Sequence, residues 1–232
     1  MSNSMRLETI VVSAGKGKRL RSSISKSFVK IKEKPILYYT LKILTEYPLI
    51  KDIILVIKRD DIRRVKRLIA TEGFKRIKKV VAGGKTRRLS VEKGLQIIDS
   101  DTDFVLIHDA ARPFINQKIL EKVILEARRF GAAVCGVPLK STLKRLDNKK
   151  FTRETLDRRK IWEIQTPQVF RKDIILAAYR KFKDKNFTDD SSLVERLGLE
   201  VKVVKGDYFN IKITTPEDLV FAEAILEKQR LI

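Results

Sequence analysis

The chain of 232 residues has one cysteine, Cys135, and one histidine, His108. A single thiol rules out an internal disulfide framework and points to a reducing compartment, the cytoplasm. One cysteine and one histidine also argue against a metal-ligand cluster. They form no nucleophile–base pair, so hydrolysis through a covalent intermediate finds no support. Long hydrophobic runs are absent too. The longest uncharged apolar stretch, "GAAVCGVPL" from Gly131, is far too short to span a bilayer. The apolar run near Ile10 is brief and flanked by Glu8 and Lys16, unlike a cleavable signal. Aromatic residues make up 7% and do not alternate with the basic clusters as base-stacking platforms would. Acidic residues are few: 29 Asp and Glu face 51 Lys and Arg, a net charge of +22. Such a balance fits an anionic substrate or a nucleic-acid surface. The clusters ("KGKRLR", "KRIKK", "KTRR", "DRRK") are spread over many elements, which disfavours a specific nucleic-acid role.

What is present is a regular alternation. "ETIVVS", "DIILVI", "KKVVA", "DFVLIH" and "AAVCGV" read as buried strands bounded by charge or glycine. Helical patterns lie between them. Pro35 opens one, with Leu37, Leu41 and Leu44 on one face. Ile119, Leu120, Val123, Ile124, Ala127 and Phe130 form the stripe of another. Near the C-terminus Thr215, Pro216 and Asp218 make a capping box. Alternating βαβ units predict a single α/β domain over residues 1–232, with a mainly parallel sheet and helices on both faces. Residues 140–160 break the rhythm. They alternate β-formers with charges around "LDNKK" and predict a protruding β-hairpin arm. An arm with little core of its own suggests contact with a partner subunit.

Three loops leave the carboxyl ends of predicted strands, where open α/β sheets bind ligands. In "SAGKGKR", Ala14, Gly15 and Gly17 let backbone N–H groups approach an anion, and Arg19 and the nearby Lys26 add charge. The loop matches neither a P-loop nor a dinucleotide fingerprint. In "AGGKTRRLS", Gly83 and Gly84 bring backbone close to a base or ribose, and Ser90 starts or caps the next helix. In "HDAARPF", Asp109 suits a ribose hydroxyl or a Mg²⁺ sphere, or else caps a turn. Arg112 is a candidate phosphate ligand. His108 and Cys135, on buried strands, read as structural. Many cations, glycine loops, one carboxylate and no evident base suit nucleotidyl transfer to a phosphate acceptor. That acceptor is already an oxyanion near neutral pH, so catalysis rests on alignment and charge stabilisation.

In these motifs, together with "DRRKIWEIQTPQVF", "TDD" and "NIKITTPEDL", the chain resembles the 2-C-methyl-D-erythritol 4-phosphate cytidylyltransferases from about Glu8 to Leu226. The resemblance implies a Rossmann-like, nucleotide-diphosphosugar-transferase-like fold and a reaction of CTP with 2-C-methyl-D-erythritol 4-phosphate in non-mevalonate isoprenoid biosynthesis, dependent on Mg²⁺ (or another divalent cation) held mainly by the CTP phosphates. It further implies that Ala14, Gly15, Gly17, Gly83, Gly84 and Ser90 shape the nucleotide pocket, with Asp109 and Ala110 at the ribose side. Arg19 and Lys26 would stabilise the attacked phosphorus, and Arg158 and Lys212 complete the catalytic set. Arg112, Thr142, Arg158, Thr166 and Lys212 would hold the acceptor, with Thr142 and Arg158 reaching over from the partner of a homodimer. Ser25, Ser141 and Phe209 depart from the family's usual pattern. Ribitol-5-phosphate cytidylyltransferases share the scaffold and give the alternative acceptor, and a basic nucleic-acid-binding protein gives the alternative class.

Overall fold

A computed structural model of the chain describes residues 5–15, 24–183 and 187–230. In chain order the strands and helices are β1 (Leu7–Ser13), β2 (Lys30–Ile31), β3 (Lys34–Pro35), α1 (Ile36–Glu46), β4 (Ile50–Ile57), α2 (Ile62–Glu72), β5 (Ile77–Ala82), α3 (Arg87–Leu95), β6 (Phe104–Asp109) and α4 (Gln117–Phe130). They continue as β7 (Ala132–Pro138), β8 (Leu143–Leu146), β9 (Thr152–Leu156), β10 (Trp162–Arg171), α5 (Lys172–Lys181), α6 (Ser191–Glu195), β11 (Lys202–Lys205) and α7 (Pro216–Arg230). Seven strands form the central sheet in the order β11-β7-β10-β6-β1-β4-β5. Only β10 runs against its neighbours, β6 and β7, and every other pairing is parallel. The predicted mainly parallel sheet is therefore present.

The strands are apolar because both faces of the sheet are covered. Side chains alternate across the pleat. Leu7 and Val11 of β1 join Leu55 and Ile57 of β4 under α1, α2 and α4. Ile10 and Val12 face the other way, with Ile54 and Val56, under α3, α5 and α6. A smaller cluster of Ile31, Ile36, Phe114 and Ile213 seats α7. The Asp218 carboxylate accepts from the Thr215 backbone N–H at 2.8 Å, the acidic half of the expected capping box. Phe130 corrects the reading of α4. The other five residues of its stripe are buried, but Phe130 is 49% exposed, with Arg129 and Lys202 over its ring.

β10 has no counterpart among the predicted strands. Pro167 lacks the N–H that a central strand needs, and charged or amide residues interrupt its apolar pattern. The ladder accommodates it: pairing with β7 skips from Ile164↔Gly136 to Gln168↔Val134. Residues 140–160 do form a hairpin, with β8 and β9 paired only to each other. Its turn is held by Asp147, which accepts from the backbone N–H groups of Lys149 and Phe151.

The chain passes from β1 through β4 to β5, then crosses to place β6 on the other side of β1. Strand order thus reverses at β1 and β6, and a crevice lies at their carboxyl ends.

Candidate active site

That crevice is a cavity of about 470 Å³. Its walls are the ends of β1, β5 and β6 and the loops that follow them. The β1 and β5 loops touch so closely that glycine is required. A Cβ on Gly83 would lie 2.2 Å from the Ala14 Cβ and 2.9 Å from the Ser90 Oγ, and one on Gly84 would lie 2.4 Å from the Leu89 Cβ. Thr86, not Ser90, caps α3: its hydroxyl accepts from the Leu89 N–H at 3.1 Å. Ser90 lies one turn further on, donating to the Thr86 carbonyl and accepting from the Gly84 N–H, so it ties the glycine loop to the helix. Lys26 lines the cavity from a short helical turn. Its neighbours fix that turn: the Ser27 hydroxyl bonds to that of Ser13, and Phe28 is buried beneath the Arg64 guanidinium.

The cavity floor carries an ion cluster built on two buried carboxylates. Arg87, the first residue of α3, places Nε 2.9 Å from Asp109 Oδ1 and Nη2 2.7 Å from Asp190 Oδ2. Lys212 Nζ is 2.5 Å from the other Asp109 oxygen. Burial would push the Asp109 pKa up, but Arg87 and Lys212 more than offset this and hold it well below the ordinary carboxylate range. Burial opposes the charge on Arg87, yet Asp190 and Asp109 drive its pKa well above the usual value. Asp109 is thus a fixed anion rather than a turn cap or a proton acceptor.

Behind the floor lies a layer without access to the cavity. His108 is fully buried, with Nε2 3.0 Å from the Arg112 carbonyl and Nδ1 3.1 Å from the Thr166 hydroxyl. Burial lowers its pKa to about 4, so it stands neutral. The Thr166 hydroxyl accepts from the Asp109 N–H at 3.1 Å. Arg112, buried, donates to the Asn210 carbonyl at 2.8 Å, two residues before Lys212. Cys135 is a buried core residue whose thiol pKa burial pushes up to about 12.

The structure brings Ala14, Gly15, Lys26, Gly83, Gly84, Ser90, Asp109, Ala110 and Lys212 together on one cavity. Arg112 and Thr166 sit behind it. Thr142 and Arg158 lie on and below the arm, off the cavity wall, with the exposed Arg158 donating to the Lys140 carbonyl. Gly17 and Arg19 fall outside the described residues. The sequence reading missed Lys58, Arg59, Lys85 and Arg87 on the wall and Asp190 behind it. Arg87 and Arg88 look alike in sequence. Helical geometry turns them about 100° apart, so Arg87 meets the carboxylates while Arg88 is buried 5.6 Å from the Tyr179 ring. Glu8, Asp52 and Asp99 cluster at the amino ends of the strands, far from this site, where Lys78 and Arg6 already neutralise them. Among the described residues no helix is long and apolar enough to cross a membrane.

A family profile described as 2-C-methyl-D-erythritol 4-phosphate cytidylyltransferase matches residues 7–228. A protein of that name from Clostridium botulinum is 47% identical over 221 residues, covering 94% of this chain and 96% of its own. Another, from Caldanaerobacter subterraneus, is 43% identical, covering 97% of this chain and all of its own. The crystal structure of 4-diphosphocytidyl-2C-methyl-D-erythritol synthase from Anaerococcus prevotii superposes with a TM-score of 0.87 at 35% identity, covering 97% of each chain. That of 2-C-methyl-D-erythritol 4-phosphate cytidylyltransferase from Thermus thermophilus gives 0.76 at 28% identity, covering 96% of this chain and all of its own.

Proposed function

Because the chain belongs to the 2-C-methyl-D-erythritol 4-phosphate cytidylyltransferase family, we propose that the cavity at the ends of β1, β5 and β6 carries out that family's reaction. The chain is a nucleotidyltransferase of isoprenoid biosynthesis. It joins CTP to 2-C-methyl-D-erythritol 4-phosphate, giving 4-diphosphocytidyl-2-C-methyl-D-erythritol and pyrophosphate. An oxygen of the acceptor phosphate bonds to the α-phosphorus of CTP, and the bond to the pyrophosphate oxygen breaks.

One observation carries the assignment of the cavity. Among the described residues, six cationic side chains line it (Lys26, Lys58, Arg59, Lys85, Arg87 and Lys212) against one carboxylate, Asp109. Such a site suits two anionic substrates and offers no general base, and a phosphate nucleophile needs none. The cytidine lies along Ala14, Gly15, Gly83 and Gly84, whose close packing leaves backbone rather than side chains facing it. Ser90 holds that loop, and Asp109 and Ala110 flank the ribose. Lys26, with Arg19, stabilises charge on the attacked phosphorus. Lys212 meets the acceptor phosphate, and Arg112 and Thr166 brace the loops bearing Lys212 and Asp109. Asp109, the one carboxylate on the cavity wall among the described residues, is the side chain that would hold a Mg²⁺ arriving with the triphosphate. Bound there, the ion would neutralise phosphate charge. Thr142 and Arg158 serve the site of a second subunit, and the protein works in the cytoplasm as a homodimer.

Pyrophosphate release tests this reading, with CTP, UTP or ATP offered alongside 2-C-methyl-D-erythritol 4-phosphate or ribitol 5-phosphate. CTP with the erythritol phosphate is expected to exceed every other pair by at least about tenfold in kcat/KM. Preference for ribitol 5-phosphate would reassign the acceptor. Absence of release, together with salt-sensitive nucleic-acid binding, would overturn the class.

A further inference from the structure

The two cations on Asp109 are held differently. Lys212 is 37% exposed and sits at the cavity edge, on a loop. Arg87 is anchored from behind. Its second carboxylate, Asp190, is 1% exposed, and the other oxygen of Asp190 accepts from the Tyr179 hydroxyl at 2.5 Å. Tyr179 is itself buried on α5, and the Asp190 backbone N–H is fixed by the Gln168 side chain of β10 at 3.2 Å. The Asp190 anchor thus joins α5, β10 and the first residue of α3.

An arriving phosphate competes with Asp109 for both cations. Lys212 can turn to it by giving up one carboxylate contact. Arg87 cannot do so without stranding Asp190 as a buried, uncompensated charge, which is strongly unfavourable. We propose that Asp190 is a positioning residue: by anchoring Arg87 it keeps the Asp109 carboxylate in place while Lys212 transfers to substrate phosphate. This rests on the cytidylyl-transfer reading of the cavity. Without the anchor Arg87 follows the phosphates. CTP is still bound, but the carboxylate beside it loses its fixed geometry.

The test is a double-mutant cycle on pyrophosphate release, with folding checked by thermal melting. Asp190→Asn is expected to lower kcat about tenfold without raising the KM for CTP. Arg87→Gln is expected to lower kcat/KM at least as much. The double variant should then lie within about twofold of Arg87→Gln, because an anchor has nothing to hold once its arginine is gone. Losses that multiply in the double variant would mark two independent roles and overturn the proposal, as would normal kcat in Asp190→Asn. If Asp190→Asn does not fold, Arg87→Lys probes the same contact from the other side. It keeps a cation but cannot bridge two carboxylates, so the tenfold loss must remain; wild-type kcat/KM there overturns the proposal. A wild-type protein that releases no pyrophosphate from CTP overturns the reaction itself, whereas an active wild type with a silent Asp190→Asn overturns only the positioning role.

Discussion

At the cavity floor Arg87 bridges two buried carboxylates, Asp109 stays ionised, and a neutral His108 packs behind it. On the arm, β8 and β9 bury no residue fully. Arg158 stands exposed, and Arg159 pairs only locally, with Asp157. Both regions are rich in cations, but the cavity pairs Arg87 with carboxylates distant in sequence, whereas the ion pairs of the arm (Arg145–Glu154, Arg153–Asp147 and Arg159–Asp157) stay within it. The cavity's charged groups are pre-positioned within one chain. An isolated two-stranded hairpin is marginal in water, so the arm's geometry needs another surface. The contrast supports the proposal that the cavity holds its own charged groups in place while the arm lends Thr142 and Arg158 to the site of a second subunit.

The sharpest way to break this contrast is at Lys26, which lines the cavity on a turn anchored by Ser27 and Phe28. Lys26→Ala is expected to lower kcat by about 10² or more, with the KM for CTP changed much less. Steady-state kinetics at saturating acceptor decide it, and near-normal turnover would remove Lys26 from the mechanism.

Acid should separate the regions next. The unfolded chain protonates histidine near pH 6.5, whereas buried His108 resists down to about 4. The unfolded state therefore binds more protons in this window. The contribution is complete above about pH 6.5 and lost as pH falls toward 4, amounting to about 2 kcal/mol by pH 5. The arm's Asp147 and Asp157, whose pKa values are lowered by local hydrogen bonds, stay ionised throughout that window. Urea denaturation at pH 7 and pH 5 measures the difference. Equal stabilities would show that the imidazole is not held neutral by its burial.

Mixing Lys26→Ala with Arg158→Ala under subunit exchange tests the division of labour directly. Random pairing makes about half the dimers mixed, each with one intact site, so about a quarter of wild-type activity should return. If Arg158 serves its own subunit nothing returns, and a monomeric protein would refute the shared site sooner. The smallest effect is expected at Arg145, which pairs across the hairpin with Glu154 at 3.3 Å while both are exposed. Arg145→Ala should change stability by less than about 0.5 kcal/mol, and a larger shift in the urea midpoint would show that the arm is braced within its own subunit.

Much of this architecture was legible because its causes are local. Strands buried on both faces carry continuous apolar runs, and glycine or a charge marks where each one stops, so β1, β4, β5, β6 and β7 could be placed. So could the three loops that converge on the cavity, since they leave strands of known direction. β10 could not, because Pro167 and its polar neighbours contradict the ordinary strand pattern and only the skipped register explains them. Phe130 fits the stripe of α4 but is its last residue and stands half-exposed beside Lys202 of the edge strand β11.

Composition and short-range periodicity encode the α/β alternation, the hairpin, the excess of cations and the lack of any nucleophile–base pair, so the chain announces these before it folds. Only the folded arrangement shows which cations are held by buried carboxylates. Arg87 differs from Arg88 only by where a helical turn points it, and Asp190 reaches the site only because α5, β10 and α3 converge there. Whether a charge is a solvated surface group or a fixed part of a site depends on partners about a hundred residues away in the chain, and folding alone brings them within 3 Å.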